Sequence, residues 1–109
     1  MTGIKTITFC NQWRDPIEVK ITGKEPLGWL YVKFGQADPS AKQMLYFWYP
    51  SIHDVGNVSK TLAELGLTRD MKVWYILGSG RKSVLTDAFY EQAQRVHDAF
   101  EAAHPYSRL

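Results

Sequence analysis

The amino-acid sequence predicts an α+β fold in which a mixed β-sheet packs on one central helix. Four short segments are rich in β-branched or aromatic residues or alternate apolar with polar side chains, as strands do. A single segment with helical spacing lies between the second and third of them. Strands joined through one helix place that helix on one face of the sheet. With 109 residues, the chain is expected to form one globular domain.

The first two strands are predicted to form a hairpin. Residues 4–10 (IKTITFC) and residues 17–22 (IEVKIT) both alternate apolar with polar side chains. Turn-forming residues lie between them, at 11–16. A short turn between two alternating strands is typical of a hairpin.

The central helix is predicted to follow Pro26, which suits a first helical turn because its missing N–H is not needed there. Apolar residues recur at helical spacing over residues 27–34. Gly28 weakens the helix by about 1 kcal/mol relative to alanine. Gly35 and the pair Asp38-Pro39 are expected to end it.

Two further strands complete the predicted sheet. Residues 43–49 (QMLYFWY) form an aromatic strand that Pro50 ends, and residues 71–77 (MKVWYIL) form the last strand. Residues 51–60 are expected to be a loop with at most a short irregular strand. Thr61 and Glu64, at the spacing of a capping box, predict a short helical turn within residues 61–64.

A second helix is predicted from a cap at Ser83 to about Ala103. We therefore divide the chain into a domain over residues 1–80 and a linker with an amphipathic helix over residues 81–109. The apolar residues of this helix fall on one stripe, formed by Leu85, Phe89, Ala93, Val96, Phe100 and Ala103.

Several segments resemble the ubiquitin-like family. Asp38-Pro39 followed by residues 43–47 is similar to the segment after the ubiquitin helix, and residues 61–67 followed by 71–77 are similar to its last turn and strand. The pairs Cys10-Asn11, Trp48-Tyr49 and Asp70-Met71 further resemble the non-conjugated ubiquitin-like modifier of splicing. Over residues 4–77 the resemblance implies a β-grasp fold.

The end of the resembling region differs from that of conjugating family members. Those proteins end in Gly-Gly just past the last strand, whereas residues 78–82 here read GSGRK and another helix follows. The resemblance therefore implies a non-conjugated protein that binds partners and does not become covalently attached.

Alternation along the strands predicts which side chains face the central helix and which face away. The inward set is Ile7, Phe9, Ile17, Val19, Ile21, Leu45, Phe47, Val73, Tyr75 and Leu77. The outward set is Met44, Tyr46, Trp48, Trp74 and Ile76, edged by Lys20 and Lys72. Such a set of large apolar groups exceeds the patch that a soluble monomer usually exposes, so we expect it to be covered.

The sequence leaves two possibilities for what covers this outward face of the sheet. The C-terminal helix can lie across the outward face, or a partner protein or a second copy can bind there. The ubiquitin-like resemblance favours a partner, because Tyr46, Trp74 and Ile76 fall where that family carries its apolar recognition patch. The helix stripe, through Leu85, Phe89, Val96 and Phe100, is the alternative site for a partner or for a homodimer. Trp13 and Trp29 are expected in the core.

The sequence contains little that indicates a catalytic site or a metal-binding site. Cys10 is the single cysteine, which excludes an internal disulfide and a cysteine-rich metal site. Cys10, His53 and Asp54 are the only nucleophilic assembly available, and their spacing does not bring them together. We therefore predict no catalytic residues, no metal and no cofactor.

Net charge and hydropathy bear on the remaining classes of function, which are nucleic-acid binding, membrane insertion and protein interaction. Thirteen basic and eleven acidic residues give a net charge of +2, which is low for a nucleic-acid-binding domain. Binding of single-stranded nucleic acid by the aromatic face, or a role as a small effector subunit of a larger enzyme, are the alternatives to a protein-interaction module. No apolar run is long enough to span a membrane, and the N-terminus lacks a secretory signal, so an intracellular location, cytoplasmic or nuclear, is expected.

Overall fold

A four-stranded mixed sheet forms one layer of the protein in the computed structural model, which describes residues 3–41, 45–78 and 85–104. Its strands are β1 (Lys5–Asn11), β2 (Arg14–Ile21), β3 (Leu45–Phe47) and β4 (Met71–Leu77). They are arranged in the order β2-β1-β4-β3, with β1 parallel to β4 and the outer pairs antiparallel. The predicted α+β class with a mixed sheet is confirmed.

Three α-helices accompany the sheet in the described part of the chain. They are α1 (Leu27–Ala37), α2 (Pro50–His53) and α3 (Asp87–Ala103), and short 3-10 turns occupy Pro39–Ala41 and Val55–Asn57. The hairpin, the central helix and the last strand lie close to where the sequence predicts them.

The segment after β3 differs from its prediction. Residues 51–60, all of them described, contain no strand but the end of α2 and a 3-10 turn. Pro50 opens α2 because its fixed backbone angle suits a first helical turn. The Asp54 carboxylate then accepts a hydrogen bond from the Gly56 backbone N–H at 2.9 Å, which caps the next turn. The third strand ends at Phe47, two residues before the predicted end at Tyr49, and its predicted first residues, Gln43 and Met44, lie outside the described residues.

Helix α1 lies between the sheet and α3. The Phe34 ring contacts Phe9 of β1 and Tyr75 of β4, with ring centroids 5.3 and 5.0 Å apart. The Tyr31 ring contacts Phe89 of α3, with a centroid separation of 5.0 Å. The hydrophobic core is therefore continuous from the sheet through α1 to α3.

Of the two covers that the sequence leaves open for the outer face of the sheet, the C-terminal helix is not the one observed, because the outward residues of the described strands remain exposed. Helix α3 packs on α1, on the side away from the sheet. It begins at Asp87, where the Thr86 hydroxyl caps it by accepting a hydrogen bond from the Phe89 N–H at 3.1 Å. Ser83, the predicted cap, lies outside the described residues. The predicted end at Ala103 is confirmed.

A close crossing of two small residues brings α1 and α3 together. A Cβ atom added to Gly28 would lie 3.0 Å from the Ala93 Cα and 3.1 Å from a methyl group of Val58. Ala93 is itself completely buried. The glycine that weakens α1 as an isolated helix thus allows its backbone to approach α3.

Polar groups are also buried between these helices. The Trp29 indole N–H donates to the Glu101 carboxylate at 3.2 Å, and Lys33 lies 3.8 Å from the other oxygen of that carboxylate. His97, one helical turn before Glu101, is buried as well. The buried face of α3 therefore continues through residues that the predicted apolar stripe does not contain.

Two buried tyrosines differ in their hydrogen bonds. The Tyr31 hydroxyl donates to the backbone carbonyl of Ile52 at 2.8 Å. The Tyr75 hydroxyl is buried without a hydrogen-bond partner among the described residues. Burial raises the pKa of both phenols, so both remain protonated at neutral pH.

We expect Gly28→Ala to destabilise the protein although alanine is the better helix former. The gain of about 1 kcal/mol in helix propensity is outweighed by overpacking against α3, which costs about 1–3 kcal/mol. Gly35→Ala is the matched control in the same helix, because a Cβ there meets nothing within 4 Å. It should stabilise the protein by roughly 0.5–1 kcal/mol. Urea unfolding measures both, and a stabilising Gly28→Ala would show that the helices do not approach closely at this point.

We expect the two tyrosine-to-phenylalanine variants to act in opposite directions. Tyr31→Phe leaves the Ile52 carbonyl without its donor and should cost about 1 kcal/mol. Tyr75→Phe removes a buried hydroxyl for which residues 3–41, 45–78 and 85–104 provide no hydrogen-bond partner, and it should be neutral or stabilising. The free energies of unfolding of both variants test this, and an equal loss in the two would contradict it.

Candidate interaction surface

The sheet has one buried and one exposed face, as strand alternation predicts. The fully buried inward residues are Ile7, Phe9, Val19, Ile21, Leu45, Phe47, Val73 and Tyr75. Two other predicted inward residues, Ile17 and Leu77, are half-buried and pack against this core. Each strand therefore turns the predicted side chains toward the core.

Four large apolar side chains are exposed on the opposite side of the sheet. We call them the aromatic face: Tyr46, Trp48, Trp74 and Ile76, whose exposed fractions are 40%, 67%, 55% and 45%. They come from the two neighbouring strands β3 and β4 and the residue after β3. Met44, the fifth predicted member, lies outside the described residues.

Strand pairing brings the aromatic face together. Tyr46 of β3 lies directly opposite Ile76 of β4. The Trp48 N–H donates to the Trp74 carbonyl at 2.8 Å, which continues the pairing past the end of β3. Side chains directly opposite on one face lie about 5 Å apart at Cβ, so the four groups form one contiguous patch.

The other half of the same sheet face is polar. Across β4, β1 and β2, Lys72 pairs with Thr8, and Thr8 pairs with Glu18. Nearby, the Lys20 ammonium group lies 3.3 Å from the Thr6 hydroxyl. Lys72, two residues before Trp74 on β4, is exposed and borders the aromatic face, whereas Lys20 lies two strands away on β2, where Glu18 is also exposed.

His53 supports one edge of the aromatic face. Its ring packs on the Tyr46 ring with centroids 4.3 Å apart, and its Nδ1 accepts a long hydrogen bond of 3.5 Å from the Phe47 N–H. Burial lowers the pKa of His53, because the charged imidazolium loses hydration there. No pattern in the sequence predicts this contact, since it depends on how α2 folds back onto β3.

The residues of the one nucleophilic assembly that the sequence offers are not brought together. Cys10 lies on β1, opposite Trp74 of β4, and its thiol contacts the Thr8 carbonyl at 3.8 Å. His53 packs against Tyr46 on β3, which is two strand spacings, or about 10 Å, from β1. Among the described residues, no group of three or more His, Cys, Asp or Glu side chains is placed to hold a metal ion.

The structure corrects two further expectations about exposed apolar groups. On the helix stripe, Leu85 and Phe89 are buried in the core, and Val96 and Phe100 are half-buried, so the stripe as a whole does not face a partner or a second copy. Trp29 is buried as predicted. Trp13 is instead 81% exposed at the turn between β1 and β2, because a two-residue hairpin turn leaves its side chain outside both layers.

The chain matches no model of a known protein family and no curated protein sequence. No helix in the described ranges is long and apolar enough to cross a bilayer. Function is therefore inferred from the surface itself.

We expect the stability of the protein to fall as the pH drops below the ordinary histidine value of about 6.5, in part through His53. Because its pKa is lower in the folded than in the unfolded state, the unfolded chain binds the proton first. His53→Gln should therefore lose less stability than the wild type between pH 7.5 and pH 5.

Urea unfolding of both proteins at a series of pH values measures this difference. His97 and His104 are present in both proteins, so their contributions cancel in the comparison. Parallel stability curves for the two proteins would mean that His53 titrates alike in the folded and unfolded states.

Proposed function

We propose that this chain is a noncatalytic protein-interaction module of the ubiquitin-like, β-grasp type, which binds a partner through the aromatic face. The observation that carries the proposal is the contiguous patch of Tyr46, Trp48, Trp74 and Ile76 on adjoining strands. Tryptophan and tyrosine are enriched among the residues that dominate binding energy at protein interfaces. Large apolar patches on soluble proteins mark interaction sites.

The arrangement of the elements supports the ubiquitin-like type. A parallel central pair, β1 and β4, is flanked by antiparallel strands, and α1 packs across one side of the sheet. This arrangement is compatible with a β-grasp. In it the face opposite the helix stays available, and the aromatic face occupies that side.

The chemistry of the patch points to another protein that presents apolar side chains flanked by acidic ones. The apolar groups of such a partner would bury against Trp74 and Tyr46. A carboxylate of the partner would lie near Lys72 at the border, where complementary charge speeds association and fixes orientation. Single-stranded nucleic acid and a second copy of this chain are the competing occupants that the experiment must separate.

We expect the double variant Tyr46→Ala/Trp74→Ala to keep the fold and to lose binding to the partner. Both side chains are about half exposed, so their removal leaves no large cavity. Truncating one hot-spot residue weakens binding by about 2 kcal/mol or more, so the double variant should bind at least about thirtyfold more weakly. The matched control is Ile4→Ala, which removes an exposed apolar side chain outside this face and should leave binding unchanged.

The measurement begins with proteins captured from the source cell that the wild type retains and the double variant does not. Each captured protein is then purified. Calorimetry measures its affinity for the wild type, the double variant and the control variant, and NMR maps its footprint on the wild type. A footprint on the aromatic face with the expected loss supports the proposal. Equal affinity for wild type and double variant, concentration-dependent dimerisation through this face, or steeply salt-dependent binding of single-stranded oligonucleotides would each overturn it.

A further inference from the structure

A polar groove lies apart from the aromatic face, between the β1–β2 turn and the C-terminal end of α1. Its volume is about 700 Å³, and its lining includes Trp13, Arg14, Asp15, Asp38 and Tyr75. Neither the aromatic face nor the α1–α3 contact uses these side chains. The groove is therefore a second surface with its own chemistry.

The aromatic wall of the groove is held in place through its backbone. The Trp13 N–H donates to the Asn11 side-chain carbonyl at 2.8 Å, and the Asn11 amide donates in turn to the Tyr75 backbone carbonyl at 3.0 Å. These bonds tie the turn to β4, while the indole of Trp13 stays 81% exposed. The turn that carries Trp13 is therefore anchored to the sheet, and the exposed indole is accessible to a ligand.

An ion pair forms another part of the lining. The Arg14 guanidinium pairs with the Asp38 carboxylate and also donates to the Ser40 hydroxyl at 3.0 Å. The Ser40 hydroxyl donates to the other Asp38 oxygen at 2.7 Å. With Asp15 exposed beside this pair, the charged groups of the lining comprise two carboxylates and one guanidinium, and their formal charges sum to −1.

The buried Tyr75 hydroxyl is the second feature of the groove that points to a ligand. Tyr75 is 1% exposed, lines the groove, and its hydroxyl lacks a hydrogen-bond partner among the described residues. Burial and the nearby Asp38 carboxylate raise the pKa of this phenol, so its oxygen is neutral and able to accept a hydrogen bond.

We propose that this groove binds the guanidinium group of an arginine side chain from another protein or peptide. A planar cation can lie flat on the Trp13 indole, which attracts positive charge to its face. The several N–H groups at its edge can donate to the Tyr75 hydroxyl oxygen and to the carboxylates of the lining. The negative formal charge of the groove favours a cation over an anion.

The probe is N-acetyl-arginine amide, a guanidinium compound without a carboxylate, added to the full chain and followed by NMR of the backbone amides of Arg14 and Asp38, which line the groove and are present in every variant. We expect a saturable shift that the isosteric, neutral N-acetyl-citrulline amide does not reproduce. Trp13→Ala should weaken binding of the probe about threefold to thirtyfold through loss of the cation–π contact. Trp48→Ala, an equally conspicuous tryptophan on the aromatic face, should leave it unchanged.

Tyr75→Phe provides a second variant that alters only the hydroxyl. This substitution should weaken binding of the probe about threefold to tenfold, as expected for one lost hydrogen bond. No saturable shift, equal binding of the citrulline compound, or tighter binding of acetate than of the arginine compound would overturn the proposal. The experiment needs no partner of the aromatic face, so its failure and the failure of the proposed function are distinguishable.

Discussion

The burial of α1 on two sides is the constraint on which the rest of the structure depends. Phe34 packs into the sheet, and Tyr31 packs against α3. Gly28 permits the close crossing that makes the second contact possible. Because α3 buries its apolar residues on α1, they cannot also cover the far side of the sheet, and the aromatic face stays exposed. One packing contact thus determines which surface is available to partners.

The two candidate surfaces differ in the physical basis of recognition. The aromatic face offers apolar area, with Lys72 at one border, and suits a partner that loses water from its own apolar groups. The groove beside Trp13 offers hydrogen-bond acceptors, a negative formal charge and one aromatic ring. Binding there would depend on charge and would weaken with salt. The two surfaces can therefore be separated by single substitutions and by ionic strength.

The sequence predicts the structure correctly where a short repeating pattern of apolar residues determines it. Period-two alternation placed Tyr46, Trp74 and Ile76 on the exposed face, because a slip of one residue would have put polar side chains in the core. The buried face of α3 is not evident from its apolar residues alone. Its buried face runs through His97 and Glu101, and a polar residue shows its burial only when its partner, here the Trp29 indole N–H, is known. The spacing of Phe89, Ala93, His97 and Glu101 at intervals of four was the available signal.

By itself the sequence determined the class of fold, the approximate positions of the main strands and helices, and the side of the pleat that each sheet residue occupies. These follow from local propensity and from the periodicity of apolar residues. Only the tertiary structure decided that α3 lies on α1, that residues 50–53 form a helix beside Tyr46, and that Trp13 borders a groove with Tyr75. Those outcomes depend on contacts between residues far apart in the chain, and no local pattern encodes which of several apolar surfaces will meet.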